Sequence, residues 1–276
     1  MKEAPLRRVL DRVKPGVAIT VVTRWFPVEV ASGVSDLGCR ELVNAHQNSD
    51  FRLLSPLHAK YYRFDDIAYV GSANLTMRGL GWTSPSNIEL LIDTEPIERF
   101  ELEIVRQSVL ATDEMQKIME TAVAHIPRSP AAESFETVPE TSCSPTDLRH
   151  HWIPRCRIPD SIFDIQRNAD EYSLLQALVA REDLRRLAVP PCEDEAQFNA
   201  IVAASLIMQP AIVSLIEFAK LPRRFGEVRE WVRSNISSDE DATLRTQVVY
   251  RWVQHFLPGI FEIDRPRHSE IIRTRR

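Results

Sequence analysis

The chain has 276 residues, 44% of them apolar and 26% charged, and a formal net charge of −5. That apolar share is enough to bury a core and excludes global disorder, and the net charge excludes a generally basic, histone-like binder. No run approaches the roughly 18 uninterrupted apolar residues of a membrane span, and the charged start MKEAPLRRVLDRVKPG lacks the apolar segment of a secretory signal, so a cytoplasmic chain without membrane contact is expected.

In chain order, Leu6 to Val13 has helical spacing and is stopped by Pro15-Gly16. Val17 to Thr23 is rich in β-branched residues and predicts a buried strand. Asp36 to His46 predicts a helix, and Phe51 to Leu54 a short strand. His58 to Phe64 and Ile67 to Ser72 flank Asp65-Asp66, which predicts a tight hairpin. Ile88 to Ile92 predicts a further buried strand. Thr94 is the expected cap of a following helix, with Pro96 near its first turn. Strands interleaved with helices over residues 1–126 argue an α/β layer fold, a mixed β-sheet flanked by helices. Residues 127–160 are rich in Pro, Ser, Thr and Glu without periodicity and predict a linker. Residues 161–276 predict a mostly helical second domain, with Pro210 interrupting one helical run.

Cys39, Cys143, Cys156 and Cys192 are far apart, with no CxxC pair, which favours free thiols over a disulfide framework. Cys143, His150, His151 and Cys156 crowd four candidate ligands into fourteen residues. They lack the short ligand pairs of structural zinc sites, so no metal and no cofactor is expected.

The informative stretch runs from Leu57 to Trp82. Side chains alternate faces along a strand, so His58, Lys60, Tyr62 and Phe64 are expected on one face. One strand on, Ser72 and Asn74 share a face, and Gly71 before them is read as a place where a ligand approaches the backbone. If the two strands pair, an imidazole, an ammonium, a hydroxyl and a carboxamide converge. These groups suit a phosphodiester. Lys60 supplies charge to non-bridging oxygens, and Ser72 and Asn74 supply neutral donors. The imidazole of His58 is a nucleophile or a general acid.

His58-Ala-Lys60-Tyr-Tyr-Arg-Phe-Asp65 followed by Gly71-Ser72-Ala-Asn74 resembles the H-x-K-x4-D and G-S-x-N signature of the phospholipase D superfamily. One departure concerns Asp65, which stands five residues before the Gly-Ser pair where the family more often has six. The resemblance covers roughly residues 15–125. It implies metal-independent chemistry in which one His attacks phosphorus and a second protonates the leaving oxygen. It also implies a Glu on a following strand that orients the nucleophile, and Glu89 resembles that residue. No other His in the chain has Lys two residues later. A single-motif chain of this family implies a homodimer with one site at the two-fold axis.

Residues 223–276 predict a second module. Phe225, Val228 and Val232 share one side of a short helix. Ser237 and Glu240 fit a capping box for the next helix. Its buried stripe is expected at Leu244, Val248, Val249, Trp252, Val253 and Phe256. Thr243, Arg245, Gln247 and Arg251 are the expected DNA-binding residues, at or beside its polar face. Two short β runs follow, so the module resembles a winged helix-turn-helix. It holds eleven Arg and no Lys against eight acids in an otherwise acidic chain, which favours phosphate contact. The resemblance and this module together point to a nuclease, with DNA as substrate and accessory proteins of a phage-defence or DNA-modification system as partners. A catalytically silent DNA-binding or scaffold protein and a lipid phosphodiesterase are the alternatives.

Overall fold

The computed structural model describes residues 1–55, 57–127, 152–235, 241–265 and 270–275. The chain is α/β and divides into two compact units. The first comprises chiefly residues 1–116; the second holds residues 117–126 and the chain beyond the segment that follows them.

In the first unit, α1 (Glu3–Leu10) buries Pro5, Leu6 and Leu10 and leaves its basic side to solvent. β1 (Ile19–Thr23) runs parallel to β2 (Ser49–Leu53), and β6 (Val109–Leu110) pairs antiparallel with β2. Short helices α2 (Pro27–Ala31) and α3 (Cys39–Asn44) fill the β1–β2 crossover. Trp25, Ala31, Cys39, Val43, Phe51 and Leu53 are buried around β2 and these helices, and the Trp25 and Phe51 rings lie 5.6 Å apart; β1, expected as a buried strand, is half-buried to exposed along its length. Trp25 is therefore a core residue, and Phe26 is half-buried under the Arg24 guanidinium.

β3 (Lys60–Phe64), β4 (Ile67–Gly71) and β5 (Leu91–Thr94) form a separate antiparallel sheet in the order β3-β4-β5. The strands of this unit are thus shared between two three-stranded sheets, not one. The hairpin forms around Asp65-Asp66 as expected, with Asp65 at a φ of 52°, a region aspartate tolerates better than most residues. The strand expected at Ile88 to Ile92 starts later and is exposed throughout, because β5 is a sheet edge. Thr94 ends this strand and caps no helix. α4 (Glu98–Gln107) begins four residues on, with Ile97 at its N-cap position. α4 is tied to the sheet through Tyr61 and Arg63, which both bond Glu101, and through the Tyr61–Phe100 ring contact. α5 (Asp113–Ala124) runs from the first unit into the second.

The second unit is mostly helical. It contains α6 (Ile162–Arg167), α7 (Leu174–Arg186), α8 (Glu195–Ile207), α9 (Pro210–Phe218), α10 (Phe225–Asn235) and α11 (Ala242–Phe256). α7 starts in a Ser173–Gln176 capping box, and Asp194 caps α8. Pro210 separates α8 from α9, as expected from its missing N–H. No single helix among the described residues is long and apolar enough to cross a membrane; α8 and α9 qualify by composition only as a pair bent by 76°. The rings of Phe163, Phe198, Phe256 and Trp252 follow one another through the core. β7 (Arg223–Arg224), β8 (Phe261–Asp264) and β9 (Ile271–Thr274) form a small sheet in the order β7-β9-β8. The capping box expected at Ser237 lies outside the described residues, and Asp241 caps α11 by accepting the Thr243 N–H.

Residues 152–160 correct the linker reading. Ile153 and Cys156 are buried, and the segment lies along α11. Arg245 Nη2 donates to the Ile153 carbonyl at 2.9 Å, Trp252 Nε1 to Cys156 at 2.8 Å, and Arg251 Nη1 to Arg157 at 2.8 Å. From α7, a single oxygen of the buried Asp183 carboxylate accepts the backbone N–H groups of Arg155 and Cys156, at 2.8 and 2.7 Å. A segment without periodicity is held because its backbone polar groups find partners one by one.

Burial pushes the Asp183 carboxyl up to about 6, against the pull of the two N–H donors and Arg245. A raised carboxyl pKa means that the folded state holds the proton more tightly than the unfolded state. This group's contribution to stability therefore falls as pH rises from about 4 to about 6, by on the order of 2–3 kcal/mol. Asp183→Asn keeps an oxygen for both N–H groups and removes the titration. Denaturant unfolding between pH 4 and 7.5 will show a flatter pH dependence for Asp183→Asn than for the wild type. Parallel curves for the two proteins would contradict this account.

Candidate active site

The site is built at the end of the β3–β4–β5 sheet where Lys60 pairs with Gly71 and Gly71 with Leu91. β4 and β5 can close there because Gly71 lacks a side chain: a Cβ on it would lie 1.8 Å from the Leu90 carbonyl oxygen. The space expected for a ligand at Gly71 is thus occupied by the neighbouring backbone. Beyond Gly71, the Ser72 N–H donates to the Leu90 carbonyl at 3.0 Å, and the Leu90 N–H donates to the Ser72 hydroxyl at 3.1 Å. Ser72 Oγ in turn donates to Glu89 Oε2 at 2.5 Å, and Asn87 Nδ2 donates to Glu89 Oε1 at 3.1 Å. These two donors, with Lys60 nearby, hold the Glu89 carboxyl below its ordinary range.

His58 is exposed and precedes β3, in the turn that follows β2. Lys60 Nζ lies 3.4 Å from His58 Nε2 and donates to the His58 carbonyl at 2.9 Å. The turn is braced from behind. Arg24 Nη1 donates to the Leu57 carbonyl at 3.3 Å, while the same guanidinium holds Glu29 through Nε and Nη2. Tyr62, two residues after Lys60 on the same strand face, donates its hydroxyl to the Ala73 carbonyl at 2.7 Å. That bond fixes the backbone between Ser72 and Asn74. Burial and the Glu89 charge push the Tyr62 hydroxyl up to about 12, so it stays a donor at neutral pH. Asn74 is exposed and opens a compact turn in which its carbonyl accepts the Thr76 N–H at 2.7 Å.

The structure joins the candidates in two groups, His58 with Lys60, and Ser72 with Glu89. Glu89 is bonded to Ser72 and Asn87, so its observed role is to orient the serine, in place of the expected histidine. Asp65 sits in the hairpin turn at the far end of β3 from Lys60, about 16 Å along the chain at ~3.3 Å per residue. It does not join the site. Arg24, Glu29, Tyr62 and Asn87 were not singled out as site residues. Strand alternation does place Tyr62 beside Lys60 and Asn87 beside Glu89, but nothing in residues 24–29 points to the turn at His58.

The DNA-binding candidates are scattered. Gln247 and Arg251 are exposed and Thr243 half-buried on α11. Arg251 is already committed to the Arg157 carbonyl. Arg245 is only 6% exposed and reaches the Ile153 carbonyl, so it is a core residue, out of reach of a phosphate backbone. The helical pattern could not reveal this, because the segment covering it is distant in sequence. Cys39, Cys156 and Cys192 are free and buried. Among the described residues no group of three His, Cys, Asp or Glu side chains is placed to hold a metal ion. Cys143, His150 and His151 lie outside them.

Comparisons with protein-family models, with curated proteins and with solved structures find no match for this chain.

Two expectations test this geometry. Gly71→Ala will force β4 and β5 apart, at a cost of about 1–3 kcal/mol. Thermal unfolding will fall accordingly, and hydrogen exchange will rise first at residues 67–71 and 90–94. Ser72→Ala will raise the Glu89 carboxyl pKa toward its ordinary value in a carbon-detected NMR titration. An unmoved Glu89 titration would mean that the serine is not its principal partner.

Proposed function

We propose that this protein is a metal-independent phosphodiesterase that cleaves nucleic acid, most consistently DNA, through a phosphohistidine intermediate in a homodimeric site. The observation that carries the reading is the His58–Lys60 pair, 3.4 Å apart and exposed, at the same sheet end as Ser72 and Asn74. Imidazole can attack phosphorus, and ammonium and amide donors suit the charge that grows on the non-bridging oxygens. In the proposed first step, a His58 ring nitrogen forms a bond to phosphorus. The P–O bond to the leaving group breaks, and the departing oxygen takes a proton from the partner subunit's His58. Water then attacks the phosphohistidine, gives its proton to the partner's His58, and releases the first imidazole. Both steps balance without an external reagent.

The second unit supports the nucleic-acid reading by its element order. α9, β7, α10, α11, β8 and β9, with sheet order β7-β9-β8, follow the helix–strand–helix–helix–strand–strand plan of a winged helix. In that plan α11 would face the groove with Gln247 and Gln254, since Arg245 is buried. A second reading is a catalytically silent nucleic-acid-binding scaffold of the same fold. It is favoured by Glu89 bonding Ser72 rather than His58.

The test is turnover. Wild type will cleave DNA in EDTA, His58→Ala will lose all cleavage while staying folded, and Lys60→Ala and Asn74→Ala will each lose on the order of 10²–10³ in rate. An acid-labile, base-stable phosphoryl adduct will map to His58, and light scattering will give a dimer. Activity that survives His58→Ala, or that needs added metal, rejects the mechanism. A folded dimer that binds DNA without cleaving it establishes the scaffold reading.

A further inference from the structure

If nucleic acid is the substrate, something must hold its phosphate backbone against an acidic protein, and most cations in the C-terminal module are already occupied. Arg245 and Arg251 bond backbone carbonyls, Arg223 bonds Phe218 and Glu227, and Arg273 pairs with Glu262 and Asp264. The first unit differs. Arg7, Arg8, Arg12 and Lys14 are exposed and make no ion pair among the described residues, and the only acid among them is Asp11. Arg7 and Arg8 stand in the last turn of α1, and Arg12 and Lys14 follow its end.

This basic side is coupled to the candidate site. The Arg8 guanidinium lies 4.4 Å from the centroid of the Trp82 ring. Trp82 closes the turn that starts at Asn74, where its N–H donates to the Met77 carbonyl at 2.8 Å. At the start of α1, the Lys2 N–H donates to the Leu75 carbonyl at 3.2 Å, one residue after Asn74. Lys2 itself is consumed by Asp36 and the Gly33 carbonyl. These cations, one of which holds an indole face, therefore lie on α1 and the residues just after it, and the start of α1 is fastened to the loop that presents Asn74.

We infer that Arg7, Arg8, Arg12 and Lys14 form the docking track for the phosphate backbone of the nucleic acid, with Trp82 as a stacking surface beside it. The inference rests on the nucleic-acid reading above and assigns its main electrostatic contact to the first unit. Free cations suit a polyanion because each phosphate neutralised releases condensed counterions. A guanidinium stacked on an aromatic ring combines charge with a flat surface on which a base can rest.

The experiment compares full-length wild type with the triple variants Arg7→Gln/Arg8→Gln/Arg12→Gln and Arg7→Lys/Arg8→Lys/Arg12→Lys. Circular dichroism checks that each is folded. Fluorescence anisotropy with a labelled single-stranded DNA 20-mer and its duplex is read at several salt concentrations. In the Gln variant, affinity at low salt will fall at least tenfold, and the slope of log affinity against log salt will shrink by about two to three units. The Lys variant will retain most of both. Hydrolysis of bis(p-nitrophenyl) phosphate, too small to reach the track, will be unchanged by either. If the wild type binds neither DNA, the nucleic-acid reading fails and this inference falls with it. If the wild type binds and the Gln variant keeps its affinity and salt slope, the track is wrong and the reading above survives. Binding of the wild type to phosphatidylglycerol vesicles in preference to DNA, lost in the Gln variant, would overturn the inference in favour of a membrane surface.

Discussion

The close approach of Gly71 to the Leu90 carbonyl constrains the whole candidate site. With no Cβ at residue 71, β4 and β5 come together and Ser72 and Leu90 exchange hydrogen bonds. That exchange aims the serine hydroxyl at Glu89. The same ladder sets Lys60 opposite Gly71, and Tyr62 then reaches the Ala73 carbonyl and steadies the chain toward Asn74. One missing methyl thus sets Lys60, Ser72 and Glu89 in register at this end of the sheet. A larger residue would displace backbone, which cannot move aside as a flexible side chain can.

The second unit is organised by a different device. A segment with no regular structure, residues 152–157, lies against α11 and is held by donors from Arg245, Trp252 and Arg251 and by the Asp183 carboxylate. Backbone carbonyls and N–H groups taken from water must find such partners, or their burial costs more than packing returns. The consequence for function is direct. The helix that a winged-helix plan would present to nucleic acid spends its arginines on internal carbonyls.

Charge has to be judged by what remains unpaired rather than by what is present. Eleven arginines after residue 222 look like a basic module in the sequence. In the fold, several of them close hydrogen bonds or ion pairs. Arg7, Arg8, Arg12 and Lys14, on α1 and just after it, are fewer, yet none is engaged by an acid among the described residues. A charge already matched by a neighbour releases few counterions when a phosphate arrives, so the unmatched set dominates long-range attraction.

The sequence by itself determined the local elements with strong signals. The β-branched run of β1, the turn at Asp65-Asp66, the break at Pro210 and the helical stripe of Val248, Val249, Trp252, Val253 and Phe256 were all legible, because each depends on residues near one another in the chain. Alternation along a strand also placed Lys60 and Tyr62 on one face. Tertiary structure decided the rest. It exposed β5 at a sheet edge, where its apolar run had suggested burial. It gave Glu89 to Ser72, seventeen residues away, and left Asp65 at the far end of the hairpin. It buried Arg245 beneath a segment ninety-two residues distant, and set Arg24 behind the turn that carries His58. Periodicity reports which face of an element is apolar, but not what comes to lie against it; that is settled only when separate elements compete for the same surface.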